Sequence, residues 1–400
     1  VHILFESHGL NEFGESEMYK AYKMVANATE YAKVSVVMPE RWAPKVPSFS
    51  DLGVNLITVP YDEWRYPFNS QLEYMNPLFA DQALKACREV LPEVDVIHKL
   101  NPNAVRYSST LVESGVPFVV GPVGWSRLPR AWSRRPAGFA RNALKSIDAM
   151  RVGAGFGRLS SMYERATAIA LVNEAARGVF PRRLQAKCET TYEWIDTATH
   201  PALEPPNNDT QVILYVGRLI PYKGIEYIID ALSRCKDVPW TFRLLGDGPL
   251  LESLKRRAVE RGIEKHVEFL GRVPREKVQS YFQSADICCF PGLNESSGNV
   301  NVEAMAASRP VVVADWAGPQ EIICDECGIK VKPTSEKALV GGLEQAFRRL
   351  LADEDLRVRM GQAGRERAVS VYDVSIAMRR FKELHERAAG SPRRTPGDGR

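Results

Sequence analysis

Short apolar runs alternate with stretches of helical spacing along almost the whole chain. In the first half, Val1 to Ser7, Val34 to Pro39, Val54 to Pro60, Val94 to His98, Pro117 to Val120 and Ala168 to Val172 read as strands, with a shorter connecting strand near Glu189 to Glu193. A helix is predicted from about Glu15 to Ala28, and a long helical stretch ends near Leu91. The strand runs are nearly continuous in apolar residues, as expected where both faces of a strand are covered. Thr199 to Asp209, rich in proline and asparagine, then breaks all periodicity and reads as a linker. A second series follows at Val212 to Val216, Thr241 to Leu245, Val267 to Leu270, Ile287 to Phe290, Val311 to Ala314 and Ile329 to Val331, with a helix between each consecutive pair. Helical spacing from Ser335 to about Ala388 closes the fold.

Alternation of this kind predicts an α/β protein built of two doubly wound Rossmann-like domains facing a central cleft, where ligand is expected. The expected division is 1–203, an N-terminal Rossmann-like domain, and 204–388, a C-terminal Rossmann-like domain. The last helix is expected to pack back on the N-terminal domain, and the polar stretch 389–400 to be a disordered tail.

A chain of 400 residues with 44% hydrophobic and 26% charged residues is ordinary for a globular protein of two domains. No run reaches the length a membrane-spanning helix needs. Val1 to Phe5 reads directly as a strand, with no secretory pattern before it, and seven cysteines without a disulfide-like arrangement fit a reducing compartment. The expected location is therefore cytoplasmic. Net charge is only +4, yet from Arg127 to Arg165 nine Lys or Arg stand against Asp148 and Glu164. Leu128, Trp132, Phe139, Leu144 and Ile147 are interleaved with them. The segment 127–165 has the make-up of a basic amphipathic surface able to rest peripherally on an anionic membrane, and equally that of a solvated helical face.

The chemistry concentrates in two strand-end loops. Gly292 to Ala306 places Glu295 in a loop and Glu303 about one turn inside a helix, where both carboxylates can accept hydrogen bonds from hydroxyls. Gly298 can take the positive φ of a tight loop, and the amides from about Ser297 through Asn299 to Val300 open a helix as an anion cradle. Gly217-Arg218-Leu219-Ile220-Pro221-Tyr222-Lys223-Gly224 follows the first strand of the second series. Gly217 permits close backbone approach, Arg218 offers a bidentate fork and Lys223 a compact charge, a set suited to a diphosphate. Gly246-Asp247-Gly248 is a weak dinucleotide signal that lacks a third glycine. Cys324 and Cys327 form a lone pair, and Asp353-Glu354-Asp355 reads as a solvated helix junction, so no metal and no cofactor is expected. His98, ending a strand of the first series, is either a contact to the acceptor or a satisfied structural histidine.

Taken together, Gly217-Arg218-Leu219 with Lys223-Gly224, Leu245-Gly246-Asp247-Gly248-Pro249, Phe269-Leu270-Gly271 and Glu295-x7-Glu303-Ala-Met-Ala resemble the family-4 retaining glycosyltransferases of GT-B fold (group 1 type). The resemblance implies sugar transfer from a nucleoside-diphosphate donor (UDP, GDP, ADP or dTDP) to a glycan, glycolipid or metabolite, in surface polysaccharide biosynthesis, without metal and without nucleic acid. It also implies that Arg218 and Lys223 hold the diphosphate, Glu303 the ribose, Glu295 the donor sugar, Arg272 and Val273 the base, and the amides of Gly298 to Val300 sugar and phosphate, with Gly9 on the donor side. Two features depart from the family pattern: Gly121-Pro122-Val123-Gly124-Trp125 stands where many relatives carry a Thr-x-His element, and the first loop has Gly9 and Gly14 rather than a glycine pair. The competing readings are a nucleotide-sugar epimerase or glycan phosphorylase on a similar scaffold, and a non-catalytic membrane-docked binding protein.

Overall fold

The computed structural model describes residues 1–12, 17–60, 77–100 and 104–394. Gly14 and the first part of the long helical stretch lie outside the described residues. The chain divides into two compact units. One comprises Val1–Trp125, Ser146–Tyr192 and Ala377–Arg400, the other Ser126–Lys145 and Glu193–Ile376.

The first unit holds β1 (His2–Glu6), β2 (Lys33–Pro39), β3 (Asn55–Val59), β4 (Val96–Lys99), β5 (Phe118–Val123), β6 (Ala168–Leu171) and β7 (Cys188–Thr190). They form one sheet in the order β3-β2-β1-β4-β5-β6-β7, parallel at every pairing. In the second unit, β8 (Gln211–Val216), β9 (Trp240–Leu245), β10 (Val267–Gly271), β11 (Ile287–Phe290), β12 (Val311–Ala314) and β13 (Gly328–Val331) form a second parallel sheet in the order β10-β9-β8-β11-β12-β13. Each strand expected from the apolar runs is present. Position in the sheet explains their composition: every residue of the interior strands β1, β4, β6, β11 and β12 is buried, whereas the edge strands β3 and β10 have one buried residue each and are otherwise exposed or half-buried.

Local chemistry fixes the helix boundaries that frame the second sheet. Ser335 accepts a hydrogen bond from the Ala338 amide and Asp353 one from Leu356, at 3.1 and 2.8 Å, so each caps a long helix. Asp353-Glu354-Asp355 is thus a capped helix start. The final helix, Val374–Ala389, belongs to the first unit from Ala377 onward. Beyond it, the Arg394 amide donates to the Gly115 carbonyl at 2.8 Å and Arg393 to the Val94 carbonyl at 2.6 Å. The stretch expected to be a free tail is therefore held as far as Arg394, because the Arg394 amide and the Arg393 guanidinium find carbonyls in the turns that precede β5 and β4; 395–400 lie outside the described residues.

Candidate active site

Three successive strand-end loops of the second unit are stitched together by backbone hydrogen bonds. The Gly217 amide donates to the Leu245 carbonyl, the Leu219 amide to Asp247, the Leu250 amide to Leu219 and the Gly246 amide to Gly271, at 2.7 to 3.0 Å. The approach is so close that a Cβ built at Gly246 would lie 1.9 Å from the Gly217 carbonyl oxygen, and one at Gly248 2.5 Å from that of Leu219. The Gly-Asp-Gly turn is therefore explained by packing: it lets the β9 loop lie against the β8 loop that carries Arg218. Arg218 is exposed, and so is Arg272, which with Val273 directly follows the stitched Gly271.

The β8 loop continues to Lys223 and is tied to the β11 loop. The Leu293 amide donates to the Tyr222 carbonyl at 2.7 Å, and Lys223 Nζ forms an ion pair with Glu295 Oε2, both side chains about three-quarters buried. Glu295 is held from the other side by its own carbonyl, which accepts from the Gly318 amide at 3.1 Å. Gly298 has φ 68° and starts the helix Asn299–Ala306, the left-handed conformation that its lack of Cβ allows. The first amides of that helix, at Asn299 and Val300, point out of its N-terminus, where a helix offers partial positive charge. Glu303 sits half-buried one turn in.

Tyr215, at the end of β8, reports how these groups converge. Burial raises its phenol above the usual range; Glu295 and Glu226 push it further up, and Arg218 opposes them. Its hydroxyl donates to the Arg218 carbonyl at 3.1 Å. Arg218, Lys223 and Glu295 thus surround the carboxyl ends of β8 and β11, the end at which open parallel sheets bind ligands.

Several partners of these loops were not anticipated from the sequence. The segment 126–145, the first half of the basic stretch, belongs to the unit that carries the loops. The Arg141 guanidinium lies 5.6 Å from the Tyr222 ring centre, and with the Asn294 amide oxygen turned toward it donates to that oxygen at 2.5 and 3.0 Å. Trp132 Nε1 donates to the Tyr227 hydroxyl at 2.8 Å, and Trp316 Nε1 to the Arg127 carbonyl at 2.6 Å. The alternation of aromatic and basic residues in 127–145 was the available signal, although composition alone pointed it toward solvent or membrane.

In the first unit the site residues are placed differently. His98 is fully buried: Nε2 meets the Gly121 carbonyl at 2.9 Å and Nδ1 meets His385 Nε2 at 2.8 Å, while His385 Nδ1 reaches the Tyr31 hydroxyl at 3.0 Å. Both ring nitrogens are engaged inside the unit, so His98 has none to offer an acceptor; the last helix, by supplying His385, makes it structural. Gly9 is buried against Trp42, 3.1 Å from a built Cβ to the indole. The charged groups at this strand end are others. Glu6 and Lys99 are register partners across β1 and β4, both fully or almost fully buried, with His8 close by in sequence. Burial pushes the Glu6 carboxyl up and the Lys99 ammonium down, each partly offset by the other's charge, and burial with Lys99 holds His8 well below its usual range.

Comparison with known proteins gives the class. Over 98% of its length the chain superposes on 99% of a glycosyltransferase from Rickettsia africae ESF-5, with a TM-score of 0.69 at 14% identity. Over 96% it superposes on 99% of Anabaena Alr3699/HepE in complex with UDP and glucose, with a TM-score of 0.65 at 17% identity. The architecture is that of the GT-B glycosyltransferases. Residues 196–367 match the family model "Glycosyl transferases group 1", so the second unit carries a group 1 glycosyltransferase domain. Among curated relatives, 202 residues (47% of this chain, 46% of the relative) are 31% identical to the D-inositol 3-phosphate glycosyltransferase of Corynebacterium efficiens. A further 186-residue match (44% and 48%) is 33% identical to the GDP-mannose-dependent alpha-(1-6)-phosphatidylinositol monomannoside mannosyltransferase of Mycolicibacterium smegmatis. The chain spans less than half the length of the curated relatives it matches.

Proposed function

We propose that this chain is a retaining, metal-independent glycosyltransferase that moves a sugar from a nucleoside-diphosphate donor to a glycan, glycolipid or metabolite acceptor, in surface polysaccharide biosynthesis. The observation that carries the reading is the meeting of Lys223 and Glu295 at the ends of β8 and β11, inside a group 1 glycosyltransferase domain and beside the exposed Arg218. Paired to each other, the two groups hold their own positions. A diphosphate draws Lys223 and Arg218, and the carboxylate of Glu295 is then available to the hydroxyls of the donor sugar. As the bond to the anomeric carbon breaks, charge accumulates on the leaving diphosphate, and two preorganised cations stabilise it where a metal otherwise would. The amides of Gly298, Asn299 and Val300 add helix N-terminal donors, Glu303 takes the ribose hydroxyls, and the Gly217 loop with Arg272 and Val273 borders the base.

Gly9 stays on the donor side of the reading, while His98, with both ring nitrogens engaged, offers nothing to an acceptor. A cytoplasmic setting is supported by seven free thiols. Among the described residues no helix is long and apolar enough to cross a membrane; contact with an anionic bilayer through 127–165 would be peripheral. An epimerase would need no acceptor, and a non-catalytic binding protein would keep its function in Glu295→Gln and Arg218→Ala variants.

A thermal-shift series with UDP, GDP, ADP and dTDP and their sugars tests the donor assignment, because a ligand that binds only the folded state raises the melting temperature. One base is expected to stabilise selectively. Failure of all four would remove the donor reading.

A further inference from the structure

Cys324-Asp325-Glu326-Cys327 forms the turn between the short helix Ala317–Ile322 and β13. The Cys327 amide donates to the Cys324 carbonyl at 3.2 Å, which closes a tight turn and brings the two Cα atoms within the span that a disulfide bridges. The side chains meet as well. The Cys324 thiol donates to Cys327 Sγ at 2.8 Å, and the same sulfur accepts from the Cys324 amide at 3.1 Å. The two differ in access to water: Cys324 is half-buried, the most open of the seven thiols, and Cys327 is fully buried. The remaining five are buried in the two cores, where burial raises Cys87 and Cys288 to about 12 and Cys188 and Cys235 to about 11. A thiol held neutral in a core is inert, so reactivity concentrates at the turn.

Access and charge set an order of events there. Burial pushes Cys327 up to about 12, helped by its hydrogen bond with Cys324, so the half-buried Cys324 is the thiol that reacts first. Arg367 donates to the Ile322 and Glu321 carbonyls at 2.8 and 3.0 Å. Its charge thereby occupies a helix end whose bare carbonyls would otherwise disfavour a thiolate. We infer that Cys324 and Cys327 are a redox-active dithiol that closes to an intramolecular disulfide by exchange with a low-molecular-weight disulfide, Cys324 attacking and Cys327 resolving. The Cys324 thiolate attacks one sulfur of RSSR, the S–S bond breaks and a thiolate RS⁻ leaves, giving a mixed disulfide. The Cys327 sulfur then loses its proton, attacks Cys324 Sγ and expels the second RS⁻. The two protons of the pair end on two RSH, and RSSR is reduced by the two electrons that the pair gives up. In a reducing compartment the open dithiol is the resting form, so closure registers an oxidative shift.

The site bears on the donor loops through the helix that precedes it. At the other end of Ala317–Ile322 the Gly318 amide donates to the Glu295 carbonyl at 3.1 Å, and a Cβ built at Gly318 would lie 2.4 Å from the Ser296 carbonyl oxygen. The helix is thus wedged between the thiol pair and the loop of Glu295. Closing the disulfide restrains one end and, with it, the local opening of the contact at the other. Its meaning for donor binding rests on the proposed function; the thiol chemistry does not.

The reduced full chain is equilibrated without oxygen in mixtures of reduced and oxidised glutathione, trapped with N-ethylmaleimide, and mapped by mass spectrometry. The expected product is a disulfide between Cys324 and Cys327 that excess reduced glutathione reopens, with the other five cysteines still thiols. Cys327→Ser should stop at a stable glutathione adduct on Cys324. Cys324→Ser, which alters only a half-buried position, should form neither adduct nor disulfide. Hydrogen exchange of the Gly318 amide should be about threefold or more slower in the oxidised than in the reduced parent, and equal under both conditions in Cys324→Ser. The dithiol is overturned by a parent whose two thiols stay reactive at every glutathione ratio, by a parent adduct on Cys324 that never closes, or by oxidation of Cys324→Ser to the parent's extent. Unchanged exchange at Gly318 overturns the link to Glu295. A disulfide that forms in a chain showing no nucleotide-induced thermal shift upholds the dithiol and strikes only the donor reading.

Discussion

The carboxyl ends of β1 and β4 in one unit and of β8 and β11 in the other occupy the same place in the same topology, and each carries an acid and a base. They differ in water. Glu6 and Lys99 are 0 and 2% exposed. Lys223 and Glu295 keep 25 and 22% of their side-chain surface. A desolvated pair is locked to its surroundings, since separating it strands a charge in a low-dielectric interior. A pair that keeps about a quarter of its surface in water can exchange one partner for a ligand oxygen at lower cost than a fully desolvated one. The same sheet architecture therefore gives a rigid interior in one unit and an exchangeable polar grip in the other, and only the second bears the family motif.

The largest expected effect that probes this contrast is on turnover. Glu295→Gln keeps the shape of the loop but removes the charge that faces Lys223 and that the proposal directs at the donor sugar; kcat should fall roughly 10²- to 10³-fold, with the melting temperature little changed. An unchanged kcat would make the ion pair merely structural.

Next comes stability at the stitched loops. Gly246→Val forces a side chain toward the Gly217 carbonyl, where a Cβ alone would be 1.9 Å away, and urea denaturation should show a loss on the order of 3 kcal/mol.

A smaller effect, specific to the first unit, follows from its histidines. Burial lowers His385 to about 3 and, with the neighbouring His385, holds His98 well below its ordinary value. Folded, both stay neutral; unfolded, both take protons near pH 6.5. Their contribution is complete above about 6.5 and is lost as pH falls from there toward 3, at roughly 1.4 kcal/mol per pH unit for each histidine. Urea midpoints measured across that range should show the slope, and His385→Gln should flatten it.

Smallest is Arg141→Ala. It should weaken donor binding about tenfold by loosening Tyr222 and Asn294 while leaving kcat close to the parent value, since Arg141 acts on the loops rather than on the sugar.

The sequence carried the strands because an interior strand of a parallel sheet must be apolar throughout, a property visible in four or five consecutive residues. The loops at the ends of β8 and β11 were legible as motifs for a related reason: Gly217 to Gly224 and Glu295 to Glu303 are continuous stretches, and the chemistry proposed for them lies in local spacing. What was not legible depends on distant pairings. His98 is buried by His385, 287 residues further on, and no local pattern foretells that contact. The tail beyond Gly390 is polar and looked free, yet Arg394 finds Gly115. The allocation of 126–145 to the second unit rests on Trp132, Arg141 and Trp316 meeting partners some 80 to 190 positions away, where composition alone showed a basic amphipathic stretch.

The central claim is that Arg218 and Lys223 grip a diphosphate. Calorimetric titration of the preferred nucleoside, its monophosphate and its diphosphate into the parent chain and into an Arg218→Ala, Lys223→Ala variant measures this directly. The account predicts that the parent prefers the diphosphate to the nucleoside by about 10²-fold or more, and that the double substitution abolishes most of that preference while leaving nucleoside affinity nearly intact. An equal preference in parent and variant would contradict it.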